Sequence, residues 1–169
     1  DRGGADEAVR HILAQGHRRV GFIGMRLFHD VEKLRLKGYR DALGRAGIEP
    51  DEACVHLMPE YSVAAGRQTM TALLALAHPP TAVFATSDLL AGGAAQALYE
   101  RGLRVPHDVS LVGYDDTLSA LLAPPLTSVA LSLDDIGRQA IDLLQKRRQS
   151  PDAPAKTLTL KTVLVDRRS

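Results

Sequence analysis

The chain has 169 residues, 45% hydrophobic and 24% charged, with 21 Lys and Arg against 20 Asp and Glu for a net charge of +1. That length can bury roughly 70% of the unfolded chain's surface, enough for one solid core or two small lobes. The balanced charge, with no dense Lys/Arg run, leaves no electrostatic case for direct nucleic-acid binding by these residues.

In chain order, apolar spacing predicts a helix over 4–15, with Ala8, Val9, Ile12 and Leu13 on one face and Gly16 as its stop. Strand and helix then alternate: strand 20–24, helix 31–46, strand 54–58, helix 62–77, strand 82–86, helix 88–101 and strand 109–114. The helices rest on recurrences at three and four, such as Leu36, Tyr39, Leu43 and Ala46, or Val63, Gly66, Met70, Leu73 and Ala77. Gly47 and Gly102 close two of them. Strict alternation implies an α/β fold with a parallel, doubly wound sheet.

After Asp116 the rhythm changes. A short helix over 117–122 leads to Pro124 and Pro125, then a strand over 127–131 and a helix over 134–146. The acids Asp134 and Asp135 suit the dipole at that helix's start. The run SPDAPA (150–155) reads as a linker and 158–165 as a last strand. On this reading the first helix and the 127–146 unit have no obvious sheet to cover, so their apolar faces are expected to be disordered or buried against a second copy.

The carboxyl ends of the parallel strands, at 24–27, 58–61, 86–88 and 114–116, should share one rim, which is where open α/β sheets bind ligands. Asp115 and Asp116 stand on it. As neighbours on a strand they point to opposite faces, and no nucleophile with a base partner accompanies them, so no enzyme is expected. The histidines His11, His17, His29, His56, His78 and His107 lack metal-ligand spacing. The glycines of GFIG and AGG lack the spacing of a phosphate loop. No metal and no cofactor is therefore expected. The one cysteine, Cys54, sits between Ala53 and Val55 as a core filler, which fits a reducing, cytosolic setting. No apolar stretch approaches the roughly 20 residues of a bilayer span, and no signal peptide is visible at Asp1.

Five motifs occur in a telling order: GGADEAVRHILAQGHRRVGFIG (3–24), RLKGYRDALGRAGI (35–48), PTAVFATSDLLAGGA (80–94), GLRVPHDVSLVGYDD (102–116) and PPLTSV (124–129). Through them the chain resembles the effector-binding core of the LacI/GalR family of bacterial transcription regulators. The resemblance implies a two-lobed, periplasmic-binding-protein-like fold with a small ligand, a sugar or related polar metabolite, in the cleft between lobes. It implies one nearly complete lobe (16–126 and 155–166) with 1–15 and 127–150 as remnants of the other, the chain crossing near Gly16, Pro125 and Pro154. On that resemblance the start of the amino-terminal lobe and the DNA-binding headpiece are expected to lie outside this sequence, with DNA contact only through that headpiece. The alternative with the same fold is a periplasmic sugar-binding protein of a transporter.

The same resemblance implies roles for residues. Arg35 matches the family's effector-binding arginine, able to clamp a carboxylate or paired hydroxyls. Asp115 matches its ligand-binding aspartate, and Tyr61 falls where many members stack an aromatic on the ligand. Ser87 stands where the family usually has asparagine, and Leu131 where some sugar binders are polar, so the ligand is expected to depart from a typical hexose. Asp88 and Asp116 read either as ligand contacts or as helix caps. Members dimerise, and Leu89, Leu90, Leu118, Leu121 and Leu122 are the expected apolar contact of a homodimer.

Overall fold

A computed structural model describes residues 1–26 and 30–169. The expectations placed on Leu27, as part of the rim, and on His29 lie outside the described residues. Five α-helices and six strands are present among those described: α1 (Arg2–Ala14), β1 (Val20–Met25), α2 (Asp30–Arg45), β2 (Val55–Met58), α3 (Val63–Leu74), β3 (Ala82–Ala85), α4 (Asp88–Glu100), β4 (Ser110–Asp115), β5 (Thr127–Ala130), α5 (Leu133–Gln149) and β6 (Val163–Val165). Ser62 and Ser87 cap α3 and α4, each accepting a backbone N–H three residues on. Helix α3 stops before its expected end because the chain runs into His78, Pro79 and Pro80, and a residue before proline disfavours the helical region.

The strands form one sheet in the order β2-β1-β3-β4-β5-β6, parallel except for β6, which runs antiparallel to β5. Right-handed crossovers dictate the layering. The β1-α2-β2 unit steps one way and puts α2 on one face; β2-α3-β3 and β3-α4-β4 step the other way and put α3 and α4 on the opposite face. Strand alternation follows. Phe22, Phe84, Val112, Tyr114 and Val129 pack with α1 and α2, while Ile23, Val83, Ala85 and Leu111 pack with α3 and α4. The first face is built on aromatics: Phe22 lies 5.1 Å from Tyr39 and 5.9 Å from Phe84 between ring centroids, and Phe84 lies 6.3 Å from Tyr114. Each such side chain contributes about 1.5–3 kcal/mol by its burial.

Two expectations are corrected. Helix α1 is not a remnant of another lobe: Ala5, Ala8, Val9 and Ile12 are fully buried in the same core as Phe22 and Tyr114. Strand β5 likewise belongs to this sheet, with Thr127 opposite Val112 and Ala130 opposite Asp115. The chain therefore stays in one lobe through Gly16 and Pro125. Helix α5 behaves differently, with no buried residue and with Leu133, Ile136, Ile141 and Leu144 exposed. The last strand is shorter than expected because β5 offers only Ser128 to Ala130 as partners for Val165 to Val163.

Candidate functional site

The direction of winding reverses between β1 and β3, and such a reversal opens a crevice at the carboxyl ends of the two strands. Their neighbouring ends deliver Met25 and Thr86 to it. Helix α2 starts at the same end, so Glu32 and Arg35, three residues apart on one helix face, lie over the crevice. Strand β4 adds Tyr114 and Asp115, and the start of α1 adds Asp1.

Arg35 is the hub. Only 5% of it is exposed. Its guanidinium carbon sits 3.8 Å from the Tyr114 ring centroid, a cation over an aromatic face in a nearly dry setting. Nη1 donates to the Thr86 carbonyl at 2.5 Å and lies 3.7 Å from Glu32 Oε1. Nη2 donates to Asp115 Oδ1 and Nε to Asp1 Oδ1, both at 3.3 Å. Of the five N–H groups a guanidinium carries, three are hydrogen-bonded; the second on Nη1 lies beside Glu32 Oε1, beyond hydrogen-bond distance, and the second on Nη2 is left over.

Glu32 is fully buried and accepts three hydrogen bonds, from the Met25 N–H at 2.9 Å, the Thr86 hydroxyl at 3.0 Å and the Tyr61 hydroxyl at 2.5 Å. Tyr61 is thereby drawn onto the site from the β2–α3 loop, and burial together with the Glu32 hydrogen bond pushes its hydroxyl well above the usual tyrosine range. Asp115 has a left-handed backbone, φ 94°, where a non-glycine residue is strained. Burial raises its carboxyl above the usual range against the opposing pull of Arg35, and nearby Asp88 adds to the rise.

Four expected ligand residues, Arg35, Tyr61, Ser87 and Asp115, are thus brought to one rim. The doubtful ones divide. Asp88 is spent inside, accepting from the Leu118 and Ser119 N–H groups at 2.9 and 3.1 Å and from the Ser128 hydroxyl at 2.7 Å. Asp116 accepts from the Ser119 hydroxyl and from Nη1 and Nη2 of Arg167 at 2.6 and 3.2 Å. Burial works against its ionisation, but these bonds outweigh it and hold the carboxyl below the usual range. Leu131 packs against the α1/α2 core. Among the expected dimer leucines, Leu90 is fully buried and Leu122 packs against the α3/α4 core, so Leu90 is removed from that set; Leu89, Leu118 and Leu121 are 39%, 37% and 82% exposed.

Sequence reasoning missed Asp1, Glu32 and Arg167, and placed Thr86 and Tyr114 on the rim without giving either a role. It looked for contacts at strand ends, whereas Glu32 reads as an ordinary acid in a helix's first turn. The available signal was its place three residues before Arg35, on the same helix face.

A family model described as a periplasmic binding protein-like domain matches residues 9–169. The ribose operon repressor of Escherichia coli (strain K12) is 35% identical over 167 residues, covering 98% of this chain and 50% of that protein. The solved transcriptional regulator CelR–cellobiose complex superposes with a TM-score of 0.92 at 37% identity, covering 99% of this chain and 51% of that one. A regulatory protein of the LacI family from Chloroflexus aggregans gives 0.92 at 30% identity, covering 99% and 60%. The chain spans about half the length of the curated relatives it matches. With motifs, winding and rim in agreement, the chain belongs to the LacI/GalR family, as part of its periplasmic-binding-protein-like effector domain.

Proposed function

We propose that this chain is part of the effector sensor of a bacterial transcription regulator, acting in the cytoplasm. A small polar molecule, sugar- or nucleoside-like, binds in a cleft floored by Arg35, Tyr61, Ser87 and Asp115. Its binding favours one angle between this lobe and a second lobe, and a DNA-binding headpiece reads that angle. Such coupling is limited by the effector's differential affinity for the two arrangements, typically about 1–3 kcal/mol.

The Arg35–Asp115 contact, 3.3 Å apart at the winding reversal, carries this reading. It is held rigidly from behind yet keeps one guanidinium N–H, the second Asp115 oxygen and the Ser87 hydroxyl proton for a ligand. Relatives named as operon repressors, and a solved neighbour described as a complex with cellobiose, support a regulator over a transporter component or an enzyme. We assign α5, none of whose residues is buried, to the second lobe. We assign the groove of about 470 Å³ between α4 and the Leu118–Leu122 turn, lined by Leu89, Gly92, Tyr99 and Leu118, to a homodimer contact.

Isothermal titration calorimetry of the full-length protein against a panel of sugars and nucleosides tests the site. One class is expected to bind, and Arg35→Lys, which keeps the charge but loses the planar fork, is expected to weaken it by about 100-fold, or roughly 2.7 kcal/mol. Unchanged affinity in a folded Arg35→Lys protein would overturn the assignment.

A further inference from the structure

Resting on the effector-cleft reading, we infer that Glu32 sets the charge class of the effector: by placing a buried carboxylate 3.7 Å behind the Arg35 guanidinium, it makes the cleft floor select uncharged, hydroxyl-rich molecules and reject their phosphorylated or carboxylated forms. An arginine serves as an anion clamp when its fork is free. Here the fork is largely taken up: three of its five N–H groups are hydrogen-bonded and a fourth, on Nη1, lies beside the Glu32 carboxylate. Three carboxylates, those of Asp1, Glu32 and Asp115, stand within 3.7 Å of one guanidinium. Asp88 lies close enough to Asp115 to add to the negative potential. The neighbouring cation, Arg167, is spent on Asp116.

An anionic group entering this floor would lose its water and meet the one unbonded N–H on Nη2, the unbonded N–H on Nη1 lying beside Glu32, with Asp115 and Asp1 close by; a desolvated charge so poorly compensated is strongly disfavoured. Adjacent hydroxyls meet the opposite situation. Their protons find Asp115 and Asp1 as acceptors, while Arg35 and Ser87 each have a donor left for their oxygens. Tyr61 fits the same ligand. Its hydroxyl is already given to Glu32 at 2.5 Å, so it offers the effector a ring face rather than a polar atom. Glu32, with none of its surface exposed, touches no ligand and acts through Arg35 and Tyr61 as a specificity-determining residue.

The test uses the full-length protein and matched pairs: D-ribose against D-ribose 5-phosphate, adenosine against adenosine 5′-monophosphate, and cellobiose against cellobionate. The neutral member of the bound pair is expected to bind at least about tenfold more tightly, and Glu32→Gln to shrink that ratio by about tenfold through the loss of one buried negative charge. An anionic member bound as tightly as its neutral partner, or an unchanged ratio in folded Glu32→Gln, overturns the proposal. Inorganic phosphate followed at the Arg35 Nε–H by NMR supplies an arm that needs neither a variant nor a known effector. No saturable shift is expected in the unmodified protein, and a saturable shift overturns the proposal. If no neutral probe binds while phosphate leaves Arg35 unmoved, the sugar reading falls and the exclusion of anions stands.

Discussion

Asp115 combines a strained backbone, φ 94°, with a carboxyl whose proton is held more tightly in the folded state than its ordinary value. The sign of its linkage follows. A carboxyl raised on folding costs stability where it is ionised, so the cost is full above the raised folded value and disappears as pH falls through it toward the ordinary value near about 3.9. Asparagine tolerates the left-handed region and carries no charge. Asp115→Asn is therefore expected to unfold at an equal or higher urea concentration than the parent at pH 7, while effector affinity falls by at least about tenfold, the trade-off typical of a binding residue. A lower urea midpoint at pH 7 would show that pairing with Arg35 outweighs burial. Arg35 and Asp115 were legible because they sit in recognisable stretches, RLKGY and VGYDD. Asp1 was not, since it meets Arg35 across 34 residues of chain, a relation no local pattern carries; Glu32 stood three residues before Arg35, but that spacing alone does not tell a buried acid from an exposed one.

At the scale of elements, the pairing of α3 with α4 depends on two glycines. A methyl on Gly93 would overlap the Val63 carbonyl, and one on Gly66 the Leu90 carbonyl, so the helices approach backbone to backbone. Gly93→Ala is expected to cost about 1–3 kcal/mol, read from the urea midpoint, because backbone atoms cannot move aside as side chains can. Gly44, in α2 with open space around its Cβ position, is the control: Gly44→Ala is expected to stabilise by about 0.5–1 kcal/mol through helix propensity. Equal effects at the two sites would mean that the close approach does not constrain the helices. The helices and most strands were readable from periodicity. The role of α1 was not, because its amphipathic face shows only that something is covered, and the covering partners Tyr39, Tyr114 and Val129 come from distant parts of the chain.

At the scale of the whole molecule, helix α5 and the α4 groove leave apolar side chains open to solvent among the described residues. Helix α5 shows Leu133, Ile136, Ile141 and Leu144 to solvent, and the α4 groove is rimmed by Leu89 and by Tyr99, which is 84% exposed, with Leu121 near it. Exposed apolar area of this kind marks association sites. For the groove, the double substitution Leu89→Glu and Leu121→Glu is expected to shift the full-length protein from dimer to monomer at micromolar concentration by sedimentation velocity, with an unchanged circular dichroism spectrum. A dimer that persists would place the contact elsewhere. By itself the sequence determined the α/β class, the order of elements and the family, because each follows from local periodicity, turn residues and contiguous motifs. Tertiary structure alone decided that α1 and β5 belong to this lobe and that Leu90 is core. It also decided that three carboxylates converge on Arg35, since which charge neutralises which is settled by the sheet's winding rather than by spacing along the chain.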